Sequence, residues 1–225
     1  MWCFWNAKGG SGCSTVAAAF AALVAKDGPT LLVDLGGDLP AVFGIASPEL
    51  GVFDWLDAES PPPDGLSRLE VPITERLSLL PSGTAGWGVA PDTAQPATEV
   101  DTGRLLAIVL DRDPRQVIVD VGLDRRLGAS IIEHGSPSYL VTRACYLSTV
   151  QARFAPKPDG IVVVREPGRL LSDHDIAAAW SAPVVASLRW DAAVAVANDV
   201  GSLTRRLPRS LRRLSALLRD NALHR

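Results

Sequence analysis

A glycine-rich segment near the start of the chain constrains the fold more than any other feature. The apolar run Trp2–Asn6 before it predicts a buried strand, and the alanine-rich run Ser14–Lys26 after it predicts a helix. Asp27–Pro29 ends that helix, and Thr30–Asp34 is a second apolar run that closes with an acidic residue. The order strand, loop, helix, strand predicts one βαβ unit with parallel strands and a right-handed crossover.

The rest of the chain continues the alternation of strands and helices. Several of the apolar runs are continuous, which is typical of strands covered by helices on both faces. The sequence therefore predicts an α/β fold with a doubly wound, mostly parallel sheet. The further strands are predicted at Leu77–Leu80, Gln116–Asp120, Tyr139–Thr142, Gly160–Arg165 and Pro183–Leu188.

The glycine loop is suited to hold a phosphate group. Glycines between a strand and a helix let backbone N–H groups turn inward, and the start of the helix adds partial positive charge. Ser14 lies where a hydroxyl reaches Mg²⁺ in such loops, and Thr15 is placed for another phosphate oxygen. A βα turn that binds no nucleotide is the alternative interpretation of the same segment.

The segment resembles the deviant Walker A motif, K-G-G-x-G-K-[ST], of the ParA/MinD family of P-loop ATPases. Lys8 matches the signature lysine of that family, and Thr30–Asp34 resembles its second strand. Val117–Asp120 resembles the Walker B strand, and Pro183–Gly201 resembles the late strand, aspartate and helix. The overall sequence is also similar to actinobacterial relatives associated with septum-site and pilus-assembly proteins.

The resemblance implies a P-loop NTPase-like fold, ATP and Mg²⁺ as ligands, and a homodimer formed with nucleotide through the face that carries Lys8. It implies that Lys8 contacts phosphate, that Ser14 and Asp120 hold the metal, and that Asp34 and Asp120 orient metal and water. The residues implied to surround the nucleotide are Lys8, Gly9, Gly10, Ser11, Gly12, Cys13, Ser14 and Thr15.

Cys13 is the main departure from the family pattern, because it stands where the motif has its second lysine. A thiol carries no positive charge, and losing one charge-assisted hydrogen bond costs about 1.5–3 kcal/mol. A redox-sensitive thiol beside an anion site is the alternative interpretation of Cys13. Backbone amides, Lys8, Ser14 and Mg²⁺ would still hold a nucleotide, but hydrolysis would be slow if it occurs.

Two further positions depart from the family. Gly36 stands where the family has a second aspartate, and Asp38 lies two residues later. Arg165–Pro167 stands where family members commonly have an asparagine near the adenine. Two functions therefore compete: an ATP-binding positioning or partitioning switch, and a non-catalytic scaffold that uses the dimer face to bind a protein partner or cargo.

The charge is uneven along the chain. Ser202–Arg225 holds seven arginines and one aspartate, whereas the chain as a whole has a net charge of −3. We therefore divide the chain into a domain over 1–201 and a basic tail over 202–225, in which Pro208–Asp220 is predicted to form an amphipathic helix. Three uses compete for this helix: docking its leucines on the domain, lying on an anionic membrane, and contacting DNA phosphates, for which no leucine stripe is needed.

Composition excludes several other classes. Three scattered cysteines do not form a disulfide framework or a zinc cluster, and they favour a reduced, cytoplasmic setting. No apolar run reaches the roughly 18 residues of a membrane span, so any contact with a membrane is expected to be peripheral, at the inner face of the membrane.

His134, His174 and His224 lack metal-ligand spacing, and Arg143 is expected either at the phosphate or in solvent. A rigid turn is predicted at Ser60–Gly65, and a long loop at Gly83–Pro96 before a helix that begins near Asp101.

Overall fold

The computed structural model describes residues 1–58, 61–62, 64–83, 96–123 and 125–215. Eight strands of these residues form one sheet in the order β3-β4-β2-β5-β1-β6-β7-β8. The β3–β4 pair is antiparallel and all the other pairs are parallel. The strands are β1 (Trp2–Trp5), β2 (Thr30–Asp34), β3 (Val71–Pro72), β4 (Leu77–Leu80), β5 (Gln116–Gly122), β6 (Ser138–Arg143), β7 (Gly160–Arg165) and β8 (Val184–Arg189).

The doubly wound parallel sheet predicted from the sequence is confirmed. The bounds of β2, β4 and β7 are those predicted, and the other predicted strands differ by one or two residues at their ends. The short antiparallel strand β3 was not predicted, because two residues carry too little periodicity to be recognised.

The apolar strands are continuous because both faces of the sheet are buried. Alternate strand residues enter different cores: Phe4 and Ile118 lie in one, whereas Cys3, Val117 and Val119 lie in the other. Every residue of β1 and β2 is buried. Side chains on successive strand residues point to opposite faces, so covering both faces requires an apolar residue at nearly every position.

Helices cover the two faces. The first core includes residues from α1 (Cys13–Val24), α2 (Leu39–Phe43) and α8 (Ala192–Asp199). The second core includes residues from four other helices and lies on the opposite side of the sheet. These are α3 (Val52–Leu56), α4 (Pro96–Asp111), α5 (Arg125–Glu133) and α7 (Asp173–Trp180), and the short α6 (Tyr146–Val150) follows β6.

Helix α1 packs tightly against β1 and thereby fixes the loop that joins them. Phe20 of α1 contacts Trp2 and Phe4 with ring centroids 5.7 and 5.2 Å apart. Phe4 in turn stacks on Tyr139 of β6 at 5.5 Å. The run of small alanines lets this helix approach the sheet closely, so the glycine loop is held between two rigid elements.

The described part of the predicted helix Pro208–Asp220 is helical. It forms a 3₁₀ helix over Arg209–Leu214, and residues 216–220 lie outside the described residues. Leu211 and Leu214 are 4% and 0% exposed and belong to the same core as α1. These two leucines therefore dock on the domain, while the neighbouring arginines are exposed; the exposed arginines are Arg205, Arg206, Arg209, Arg212 and Arg213.

Two smaller predictions are corrected or left open. Helix α4 begins at Pro96 rather than near Asp101. Most of the predicted loop Gly83–Pro96 and part of the predicted turn Ser60–Gly65 lie outside the described residues.

Within the described ranges, no helix combines the length and the apolar character that crossing a bilayer requires.

Candidate functional site

The glycine loop leaves backbone N–H groups free at the start of α1. Gly12 precedes the helix with φ 89°, and no side chain caps the helix there. The first hydrogen bond of the helix runs from the Val16 N–H to the Gly12 carbonyl at 2.9 Å. The N–H groups of Cys13, Ser14 and Thr15 therefore have no acceptor within the helix, as phosphate-binding loops require.

The rest of the loop is shaped by glycine and by one internal hydrogen bond. Gly10 has φ 73°, a backbone conformation that favours glycine. The Ser11 hydroxyl donates to the Lys8 carbonyl at 2.6 Å, which closes the turn. The Lys8 side chain is exposed, and within the described ranges it forms no ion pair. Its ammonium is therefore available to a ligand or to a second molecule.

A cavity of about 530 Å³ opens at the start of α1. Its wall is formed by the glycine loop, the first turn of α1, helix α2 and the end of α8. Its lining residues are Asn6, Gly10, Gly12, Cys13, Ser14, Thr15, Asp38, Ala41, Val42, Asn198 and Asp199. The cavity lies at the carboxyl edge of the parallel strands, where ligands bind in open α/β sheets.

One wall of the cavity was not identified from the sequence. The Asn198 amide donates to the Thr15 hydroxyl at 2.8 Å, across 183 residues of chain. Asn198 stands in the predicted late helix, but helical periodicity does not show which residue of that helix faces the loop. The contact occupies one acceptor position of Thr15 and leaves its O–H free to donate.

Asp34 organises the turn that follows β2. Its Oδ1 accepts from the Gly36 and Gly37 N–H groups at 3.0 and 2.6 Å, and its Oδ2 accepts from the Leu39 N–H at 3.1 Å. The side chain is fully buried. Burial and the neighbouring Asp120 charge raise the pKa of Asp34 to about 7, although the Gly37 and Leu39 N–H groups lower it in part.

Asp120 lies directly beside Asp34 and is also fully buried. Its Oδ1 accepts from the Gly122 N–H at 3.2 Å, whereas Oδ2 has no hydrogen-bond partner among the described residues. Burial raises the pKa of Asp120, and the Ser14 hydroxyl and Cys13 thiol beside the carboxylate lower it in part. The orphaned Oδ2 and the Ser14 hydroxyl are oxygen donors of the kind that Mg²⁺ prefers, so these residues fit the predicted metal.

Cys13 is buried and its thiol is neutral. The side chain is 3% exposed, and burial together with the Asp120 charge raises its pKa well above 9.0. A thiolate, which is the reactive form, is therefore disfavoured here. This opposes the redox interpretation of Cys13 and removes the prospect of thiolate repelling phosphate.

Electrostatically, the cavity is unusual for a phosphate site. No lysine or arginine is among its described lining residues, whereas Asp38 and Asp199 are. Gly36, at the position of the missing second aspartate, lies against both buried carboxylates; a Cβ built on it would be 3.6 Å from Asp120 and 3.8 Å from Asp34. Asp38 stands on the cavity wall instead. The described side chains that line the cavity therefore carry no positive charge.

A second cavity, of about 510 Å³, is lined by Glu166, Pro167, Gly168, Arg169 and Trp190. Arg143 connects it to the loop: its guanidinium lies beside Gly10 and pairs with Glu166 at 2.8 Å. The other oxygen of Glu166 pairs with Arg169 at 2.7 Å. Arg143 is exposed, as one of the two sequence interpretations expects, and its guanidinium is paired with Glu166.

The other metal-ligating residue types do not assemble. Among the described residues, no group of three or more His, Cys, Asp or Glu side chains is placed to hold a metal ion. Cys3, Cys13 and Cys145 are free thiols. His134 and His174 belong to no such group, and His224 lies outside the described residues.

Solved structures of ParA and MinD ATPases share this fold. A ParA family ATPase from Chlorobium tepidum matches at 21% identity with a TM-score of 0.69, over 96% of each chain. MinD from Pyrococcus horikoshii complexed with Mg-ADP matches at 18% identity and 0.70, over 98% of this chain and 96% of that one. MinD in the MinC:MinD complex of Aquifex aeolicus matches at 17% and 0.71, over 99% and 96%.

No protein-family model matches the sequence, and no curated protein matches it. The likeness to solved structures establishes the fold: this chain is folded as a ParA/MinD-type P-loop domain along nearly its whole length.

Proposed function

We propose that this chain belongs to the ParA/MinD family and is a nucleotide-binding positioning or partitioning switch, one that binds ATP with Mg²⁺ and hydrolyses it slowly if at all. The observation that carries the proposal is the start of α1: two left-handed glycines and an uncapped helix leave free N–H groups beside a cavity that Cys13, Ser14 and Thr15 line. Such a site binds anions through its backbone.

Each site residue has a proposed role. The backbone of Gly9–Thr15 cradles the phosphates, and Lys8 contacts them with its exposed ammonium. Ser14 and Asp120 hold Mg²⁺, which supplies positive charge where the cavity wall has none. Asp34 orients the ligands of the metal indirectly, because its oxygens already accept hydrogen bonds from the turn Gly36–Leu39. The base of the nucleotide lies in the second cavity, beside Trp190. Arg143 connects this cavity to the glycine loop through its ion pair with Glu166.

Weak hydrolysis follows from Cys13. The lysine of related loops stabilises charge that develops during phosphoryl transfer. A neutral thiol provides no such charge, and the Arg143 guanidinium is paired with Glu166. The site is therefore suited to a long-lived nucleotide-bound state rather than to rapid turnover.

We further propose that nucleotide binding creates a homodimer through the face around Lys8. This face holds an exposed ammonium and the exposed side chain of Leu123, which lies beside Gly9. A dimer formed this way would present a composite surface to a protein partner or cargo. Within the solved structures, a MinD protein is seen in complex with MinC.

Calorimetric titration of Mg²⁺-ATP into the full chain, with light scattering on the same samples after size exclusion, tests the switch. We expect binding in the micromolar range and a shift from monomer to dimer. The variant Gly12→Ala disturbs the loop backbone without touching any side chain, since no atom lies within 4 Å of the added methyl group. It is expected to weaken binding, whereas Gly28→Ala, equally uncrowded, is the matched control.

A non-catalytic scaffold is the second candidate, and the absence of any basic side chain from the described wall of the cavity favours it. Such a protein would keep the fold and the dimer face but would bind no nucleotide. Absence of heat and of any change in mass up to millimolar Mg²⁺-ATP would select this candidate.

The tail is proposed to add an electrostatic contact with anionic membrane. Leu211 and Leu214 are docked in the core, so the exposed arginines, and not these leucines, would make it. Sedimentation of the protein with anionic vesicles at low salt tests this, with Arg212→Glu/Arg213→Glu as the variant expected to reduce binding. Retention of the variant on vesicles, or equal binding to neutral vesicles, would contradict the proposal; a preference for DNA would favour the other use of the tail.

A further inference from the structure

Arg143 lies beside the glycine loop although the two are far apart in the sequence. It ends β6, which pairs in parallel with β1, and β1 leads directly into the loop. Its Nη2 lies 3.9 Å from the position that a Cβ on Gly10 would take. Gly10 in turn lines the cavity at the start of α1, which has no lysine or arginine among its described lining residues. The guanidinium of Arg143 therefore lies next to a residue of a cavity wall that itself has no basic side chain.

Glu166 holds the same guanidinium through its other terminal nitrogen. Arg143 Nη1 pairs with Glu166 Oε1 at 2.8 Å, and Arg169 Nη2 pairs with Glu166 Oε2 at 2.7 Å. Glu166 follows β7, the strand next to β6, so the partners meet at the carboxyl edge of the sheet. Two guanidinium groups and one carboxylate give this arginine cluster a net charge of +1, so it attracts anions even while its members are paired.

Arg143 lies on the path of a nucleotide that occupies both cavities. The base is proposed to lie in the second cavity, which Glu166 and Arg169 line, and the phosphates at the glycine loop. Arg143 joins these two places, because it pairs with Glu166 on one side and lies beside Gly10 on the other. An arginine is always charged and has five N–H donors in a planar fork, so it can keep one nitrogen on Glu166 and donate from another to a phosphate oxygen.

We propose that Arg143 is a phosphate-binding residue that supplies the charge missing at Cys13, and that Glu166 is a positioning residue that restrains it. This inference rests on the proposed nucleotide-binding function and adds to it the side chain that provides positive charge from outside the loop. Carboxylate and phosphate are both anionic acceptors that fit the guanidinium fork, so Glu166 competes with the phosphate for Arg143. The restraint agrees with the slow hydrolysis proposed above.

Calorimetric titration of Mg²⁺-ATP into the full chain and its Arg143 variants tests the first part. Arg143→Gln is expected to weaken binding about tenfold, because one charge-assisted contact is lost. Arg143→Lys keeps the charge but not the fork, and is expected to recover part of the loss. Arg153→Gln removes the same charge from an exposed arginine that is among the described lining residues of neither cavity, and is expected to bind like the unmodified chain.

Glu166→Gln tests the restraint. With Arg143 present, this variant is expected to bind Mg²⁺-ATP about fivefold more tightly, because the guanidinium is released to the phosphate. In the Arg143→Gln background the same change is expected to alter the affinity less than about twofold, since there is no guanidinium to release. A gain in affinity cannot come from loss of the fold, so this arm holds even where Arg143→Gln is destabilised.

Equal affinities of the unmodified chain and Arg143→Gln would overturn this proposal while leaving nucleotide binding in place. An equal gain from Glu166→Gln with and without Arg143 would also overturn it, because Glu166 would then act on the phosphate by simple repulsion. Absence of binding by both the unmodified chain and Glu166→Gln would overturn the proposed function, and this proposal with it. The two failures are therefore distinguishable in one set of titrations.

Discussion

Asp34 and Asp120 are register partners at the carboxyl ends of the adjacent strands β2 and β5, and both side chains are fully buried. Two buried carboxylates side by side cannot both ionise without cost, because each loses hydration and repels the other. The nucleotide-free site therefore favours retention of a proton, and this gives the stability of the molecule a measurable dependence on pH.

We expect the stability of the nucleotide-free protein to fall as the pH rises from about 4 to about 7. The pKa of Asp34 is raised from 3.8 to about 7, so the folded state holds a proton that the unfolded chain has already released. The bound proton contributes its full stabilisation below the pKa of Asp34 in the unfolded chain. This contribution to the free energy of unfolding, on the order of 2–4 kcal/mol, is lost as the pH rises through the pKa of the folded state. Urea denaturation at a series of pH values measures this change in the free energy of unfolding.

Asp34→Asn is expected to flatten this dependence over the same pH range, because the titrating group is removed. Asp27→Asn, which replaces an exposed carboxylate after α1, is the control and should leave the slope unchanged. Equal slopes in the unmodified chain and Asp34→Asn would show that Asp34 is not the responsible group.

Cys13→Lys is expected to tighten Mg²⁺-ATP binding by about ten- to a hundredfold, because it restores one charge-assisted contact to phosphate. Cys13→Met provides a side chain of similar length without charge and is expected to give no gain. Calorimetric titration of the two variants side by side separates charge from size. Equal affinities for both would mean that the loop is not shaped for phosphate.

Much of the fold is predictable from the sequence because its signals are local. The run Thr30–Asp34 lies between turn residues and is apolar throughout, so its predicted bounds are correct. Gly12 stands before α1 in the left-handed conformation that a glycine at that position suggests. The glycine loop combines these local signals in one short segment, and for that reason its place between β1 and α1 could be predicted from the sequence.

What could not be predicted depends on contacts between distant segments. Nothing near Asn198 in the sequence indicates that it donates to Thr15. Arg143 left two alternatives open, and its partner Glu166 is set by the pairing of neighbouring strands. The tail pattern was compatible with docking, lipid or DNA, since leucine periodicity shows that Leu211 and Leu214 share a face but not what that face meets.

Leu214→Ala is expected to destabilise the protein by about 2–5 kcal/mol, because Leu214 is fully buried in the core that contains α1. Arg212→Ala, in the same 3₁₀ helix but exposed, is expected to change stability by less than about 0.5 kcal/mol. Urea denaturation of both variants is the measurement. Equal and small effects would mean that this part of the tail is not docked in solution.

The ends of α2 and α8 meet at two glycines, and this contact fixes the wall of the cavity. Both glycines have positive φ, 66° at Gly44 and 60° at Gly201. A Cβ built on Gly201 would lie 2.1 Å from the Gly44 Cα, which is far inside van der Waals contact. Since Asn198 lies in the last turn of α8, any shift of this junction would also move the Asn198–Thr15 hydrogen bond.

Gly201→Ala is therefore expected to cost about 2–4 kcal/mol, the sum of left-handed strain and overpacking. Gly168→Ala separates the two causes: Gly168 has φ 78° but no atom within 4 Å of an added methyl group, so only the strain of about 1 kcal/mol applies. Urea denaturation of both variants measures the difference. Equal losses would show that the α2–α8 junction yields easily, and the Asn198–Thr15 contact would then not hold the cavity wall in place.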